Sequence, residues 1–78
     1  MKEKDLFKII KEALQTKKVI NMKSSSKLIE EWDSLGQLAI LSLIDKKLKN
    51  KASTLKELAT AESVKKIHTI LKKAKLIV

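Results

Sequence analysis

The chain contains no proline, and its only glycine is Gly36. Without these breakers, segments must be ended by polar caps and by the fading of hydrophobic periodicity. Such a sequence favours helices, and its apolar residues recur at helical spacing. Leu6, Ile9, Ile10 and Leu14, helped by Phe7 and Ala13, place a first amphipathic helix between Glu3 and Thr16. Glu3 and Asp5 come early and lysines follow, which suits the helix dipole.

From Lys17 to Asp33 the period disappears. A connection of about sixteen residues exceeds the 2–8 usual between packed helices, so it should anchor itself in the core. Val19, Ile20, Met22, Leu28 and Ile29 are the candidate anchors, with an extra turn near Lys27 to Glu31. Ser24 to Ser26 is too short to act as a flexible linker. A second helix runs from Ser34 or Leu35 to about Lys49. Its apolar residues Leu35, Leu38, Ala39, Ile40, Leu41, Leu43, Ile44 and Leu48 cover most of the circumference, so it is expected at the buried centre of the molecule. A polar break over Asn50 to Thr54 precedes a short helix, Leu55 to Ala59, capped by Ser53 or Thr54. A last helix, Ala61 to about Ala74, is capped by Thr60 and buries Val64, Ile67, Ile70, Leu71 and Ala74. The closing Leu-Ile-Val should fold back on the core. The expectation is an all-α, small four-helix bundle, three longer helices plus one short, forming a single domain over residues 1–78.

Seventy-eight residues bury only about 60–65% of the surface of the unfolded chain. That leaves one thin core and no room for an enclosed catalytic pocket, so the chain reads as a non-enzyme. It has no cysteine and one histidine, His68. Disulfide, thiolate-metal and multi-histidine sites are therefore excluded, and a reducing, cytoplasmic location is expected. No apolar run reaches the roughly 20 residues that span a bilayer. The acids mixed into the N-terminal segment fit neither a signal nor a transit peptide. Eighteen lysines against nine acids give a net charge of +9, which favours anionic partners. The absence of arginine argues against nucleic acid, whose phosphates and guanines suit the bidentate guanidinium. Phe7 and Trp32 alone supply no stacking platform.

The only tryptophan and the only glycine flank an Asp-Ser-Leu triplet at the head of the second helix, in "EEWDSLGQLAILSL". Ser34 as N-cap would put Gln37 at the third helical position, a serine-x-x-glutamine capping box; Asp33 would serve equally well as cap. Ser34 is not a candidate nucleophile, because no base or orienting group accompanies it. A hydroxyl exposed at a helix start can instead be modified by an external enzyme, since the helix end favours an added phosphate.

The segment "WDSLGQLAILSLIDKKL" resembles the modification-site region of acyl carrier proteins and the related peptidyl and aryl carrier domains. The likeness extends to chain length and to the order of helices, and includes "LATAESVKKIHTIL" at the entry to the last helix. It implies that Ser34 carries a covalent 4'-phosphopantetheine arm derived from coenzyme A. It also implies that Asp33 assists the phosphopantetheinyl transferase and its metal-bound coenzyme A, and that Leu35 packs beneath the arm. Leu38, Leu41 and Ile44 would line an apolar space for an acyl chain. The implied partners are that transferase and the enzymes that load and remove acyl or aminoacyl groups, acting on a monomer. Such carriers are usually acidic along the second helix, whereas this chain reads Ala39, Asp45, Lys46, Lys47 and Lys49 there. Like charges facing each other lower affinity and on-rate, which points away from housekeeping fatty acid synthesis and towards a specialised lipid, polysaccharide, amino-acid or secondary-metabolite pathway. Two other readings remain open. One is a basic helical module for an anionic partner, with Lys65, Lys66, Lys72, Lys73 and Lys75 forming its edge; the other is a carrier-like fold without modification.

Overall fold

The computed structural model describes residues 1–49 and 56–77. Three α-helices form its frame: α1 (Glu3–Leu14), α2 (Ser34–Lys47) and α3 (Val64–Lys73). The short helix expected over Leu55 to Ala59 is a five-residue 3-10 helix, Lys56–Thr60. The fold is therefore all-α, with three α-helices and one 3-10 helix among the described residues. The polar break, its caps Ser53 and Thr54, Leu55 and the final Val78 lie outside the described residues.

Helix ends follow local chemistry. The carboxylate of Asp5 accepts a hydrogen bond from the Lys2 backbone N–H at 3.1 Å and ties down the start of α1. That helix ends two residues earlier than its period suggests, because Gln15 adopts a left-handed conformation (φ 51°) and donates to the Glu12 carbonyl. At the end of α3, Lys75 is left-handed (φ 60°). Lys75 N–H donates to the Lys72 carbonyl and Leu76 N–H to that of Leu71, a Schellman closure that lysine adopts here without glycine.

The core draws on every segment. Leu6, Ile10 and Leu14 of α1 meet Ile40 and Ile44 of α2, with Val64, Ile67 and Leu71 of α3 completing it. From the connections come Ile20, Ile29, Trp32, Leu58, Ala61 and Ile77. Burying one such side chain fully contributes about 1.5–3 kcal/mol, so the loop residues count as much as the helical ones. The C-terminal segment does fold back, with Leu76 half-buried and Ile77 buried.

Two expectations are corrected here. Val19 and Leu28 are 76% and 64% exposed and anchor nothing, whereas their neighbours Ile20 and Ile29 are buried. Nor is α2 buried around its circumference: Leu35 is 76% and Leu38 62% exposed. Helix α2 packs mainly on α1 and touches the 3-10 helix, and among the described residues no further helix covers its other side.

The last helix begins at Val64, three residues later than expected, with Ser63 and not Thr60 as its cap; the Ser63 hydroxyl accepts from Lys66 N–H at 3.2 Å. The cause lies in the first connection. Ser25 and Ser63 form an isolated antiparallel bridge. Ser26 N–H donates to the Glu62 carbonyl at 2.9 Å, and Val64 N–H to that of Ser24 at 3.0 Å. Backbone committed to this short ladder is extended and unavailable to a helix. The serine run is thus a structural element: Ser24 is buried, and its hydroxyl accepts from Asn21 N–H.

Candidate functional site

At the head of α2, Asp33 is the N-cap. Its Oδ1 accepts from Gly36 N–H at 2.9 Å, while its carbonyl accepts from Gln37 N–H at 2.8 Å. Ser34 is then the first helical residue, and its side chain is exposed. Gln37 takes no part in a capping box, since its side chain turns inward and is buried. There its Oε1 accepts from Trp32 Nε1–H at 2.7 Å, and its Nε2 donates to the carbonyls of Leu58 (3.0 Å) and Ala61 (2.9 Å). This network fastens the loop before Ser34 and the 3-10 region to one side of α2.

Gly36 explains how closely the loop approaches. A Cβ on it would collide with the Glu31 carbonyl oxygen and lie 2.7 Å from Leu14 Cδ2. Only glycine lets the first turn of α2 sit against both the loop and α1. Its φ is not positive, so the demand is for space and not for backbone freedom.

These constraints leave Ser34 on the rim of an open groove of about 630 Å3. Leu38, Leu41 and Ala59 supply apolar lining, and Trp32, Asp33, Gln37, Ser26 and Glu62 complete it. Ser34, Leu38 and Leu41, at spacings of four and three, lie along one side of α2. The sequence-derived candidates therefore separate. Ser34, Asp33, Leu38 and Leu41 meet at the groove. Leu35 is solvent-exposed beside it, whereas Ile44 is fully buried in the core and does not line the groove. An apolar space between the helices, reached from Ser34 and lined by Ile44, is replaced by a surface groove, because Ile44 packs into the core shared with α1.

The groove is not basic. Its charged lining residues are Asp33 and Glu62. Residues 28–45 contain Glu30, Glu31, Asp33 and Asp45 and no lysine, so the net charge of +9 resides elsewhere. The opposite wall, formed by Ser26, Ala59 and Glu62, is assembled only by the tertiary fold, and nothing local in the sequence marks it. Gln37 did carry a signal, as a polar residue amid the apolar positions of α2, five residues after the only tryptophan.

A hydroxyl at a helix start, beside an apolar-lined groove, has the chemistry to accept a phosphodiester and to let a flexible organic arm lie along the surface. The residues present thus fit the 4'-phosphopantetheine group. His68 is half-buried on α3, outside the groove lining. No group of three or more metal-ligating side chains occurs among the described residues, and no described helix is long and apolar enough to cross a membrane. Comparison with protein-family models gives no match, and no curated protein or solved structure matches the chain significantly.

Proposed function

We propose that this chain is a carrier protein with no catalysis of its own. In this reading Ser34 is the attachment point for 4'-phosphopantetheine, and the loaded chain presents an acyl or aminoacyl group to partner enzymes. The observation that carries the reading is the placement of Ser34: exposed, first in α2, and on the rim of the groove lined by Leu38 and Leu41. When bound, the arm supplies a terminal thiol that holds a carboxylic acid as a thioester.

The remaining roles fall to the protein. Asp33 holds the first turn of α2 through Gly36 N–H and so fixes the hydroxyl outward. The positive end of the helix dipole favours the phosphodiester charge. Leu38 and Leu41 offer apolar contact along the path of the arm, and exposed Leu35 offers a contact for the transferase. The phosphopantetheinyl transferase brings its own base and metal-bound coenzyme A, so Ser34 needs no neighbouring histidine. No lysine lines the groove beside Ser34, whereas Lys46 and Lys47 at the other end of α2 are exposed and would meet an incoming partner with positive charge. A specialised pathway with dedicated clients remains the favoured setting.

The test is intact-mass measurement after incubation with coenzyme A and a broad-specificity phosphopantetheinyl transferase. The expected result is a gain of one phosphopantetheine on the wild type and none on Ser34→Ala. No gain on either, or an equal gain on both, would overturn the proposal.

A further inference from the structure

The connection between α1 and α2 carries a second surface, unrelated to Ser34. Residues 13–29 contain Lys17, Lys18, Lys23 and Lys27 and no carboxylate, and all four lysines are exposed. Val19 directly follows Lys18 and Leu28 directly follows Lys27; they are the only large apolar side chains exposed among the described residues apart from Leu35 and Leu38. They lie nine positions apart in sequence, but the fold joins them. Lys18 Nζ donates to the Leu28 carbonyl at 3.2 Å, and both side chains line a shallow depression of about 230 Å3 together with Lys18, Lys23 and Ile29.

Their exposure is built into the loop. Each tip is followed by a buried anchor, Ile20 after Val19 and Ile29 after Leu28. Asn21 Oδ1 accepts from Lys23 N–H at 2.8 Å, and Ser24 Oγ accepts from Asn21 N–H at 3.0 Å, fixing the turn between them. Two aliphatic tips are thus held outward beside Lys18 and Lys23, with exposed Lys17 and Lys27 next to them in the chain.

The geometry points to an anionic bilayer surface as the occupant of this patch. Val19 and Leu28 enter the boundary between headgroups and acyl chains, while the lysines, on long apolar stems, reach back to the lipid phosphates. A protein partner is disfavoured because interface anchors are enriched in aromatic residues and arginine, and this patch has neither. Nucleic acid offers aliphatic tips nothing to insert into, and no aromatic ring is present to stack on bases. A chain docked in this way works at a membrane surface without spanning it.

Co-sedimentation of the full chain with phosphatidylcholine vesicles, with and without phosphatidylglycerol, tests this at physiological salt. The wild type and Ser34→Ala should bind equally, and only to the anionic vesicles, so the outcome is independent of the carrier proposal. The double variant Val19→Ser, Leu28→Ser keeps the charge and should partition at least about tenfold more weakly; each single variant should fall between. Replacing Lys17, Lys18, Lys23 and Lys27 with glutamine should weaken binding more than the same change at Lys65, Lys66, Lys72 and Lys73 of α3. The inference is overturned by no binding to phosphatidylglycerol vesicles, by unchanged binding of the double serine variant, by equal losses from the two glutamine sets, or by tighter binding to duplex DNA than to vesicles.

Discussion

The indole of Trp32 donates its N–H to Gln37 Oε1 at 2.7 Å, and both residues are buried. Through Nε2, Gln37 also engages the Leu58 and Ala61 carbonyls, so one side chain joins three segments around the groove. In a core this small, an unmade hydrogen bond costs more than a made one contributes. Gln37→Leu should therefore destabilise the fold by about 2–4 kcal/mol, read by urea denaturation. Gln37→Glu keeps the acceptor for Trp32 but must be protonated to donate to a carbonyl. Its folded-state pKa would rise, so its deficit should be largest at neutral pH and should narrow on acidification.

Gly36 makes the second prediction, against helix propensity. Alanine is worth about 1 kcal/mol more than glycine inside an exposed helix, yet a Cβ here meets the Glu31 carbonyl oxygen and Leu14. We expect Gly36→Ala to lose about 1–3 kcal/mol through forced displacement. A neutral or raised melting temperature would show that α2 does not lie this close to the loop.

The two sides of α2 should respond differently to truncation. Leu35→Ser and Leu38→Ser remove exposed side chains and should change stability by no more than about 0.5 kcal/mol. Ile40→Ala and Ile44→Ala empty fully buried positions and should cost about 2–5 kcal/mol each. Denaturant midpoints of the four variants decide the matter, and equal losses on both sides would contradict the open groove.

Asp5 supplies a pH dependence of known sign. Its pKa is lowered below the ordinary 3.8, first by the hydrogen bond from the Lys2 backbone and further by Lys47, the N-terminal ammonium and Lys8. A group whose pKa is depressed by folding contributes stability that is fully present above its unfolded pKa and is lost as pH falls through the folded one. Asp5→Asn should therefore lower stability above about pH 4 and converge with the wild type at more acidic pH, in thermal melts taken across that range.

The sequence made the helices legible because Leu6, Ile10 and Leu14, like Val64, Ile67 and Leu71, repeat at a spacing that only a helix turns to one side. It was ambiguous for α2, whose apolar residues point in all directions. Composition alone could not say that Ile40 and Ile44 face the core while Leu35 and Leu38 face water, because that choice depends on where α1 packs. The late start of α3 was equally hidden, since Ser63 caps it only after backbone pairing with the serine run has claimed the residues before it. Ser34 and Asp33 could be placed at a helix start from local chemistry. Ser26, Ala59 and Glu62 reach the groove across distances in sequence that no local pattern reports.

The ladder between Ser24–Ser26 and Glu62–Val64 has a consequence for how the molecule breathes. It joins segments nearly forty residues apart through main-chain groups, whereas α1 and α2 are held by packed aliphatic side chains. Parting the two segments would break a pair of backbone hydrogen bonds and the Ser26–Glu62 side-chain bond and would lift Val64 from the core, while leaving the α1–α2 packing in place. Such a sub-global opening costs less than unfolding the whole chain. The Ser26 and Val64 amides should then exchange with solvent deuterium together and faster than those of Ile40 and Ile44. Ser26 and Glu62 both line the groove, so the ladder that times this exchange also sets the wall facing Ser34.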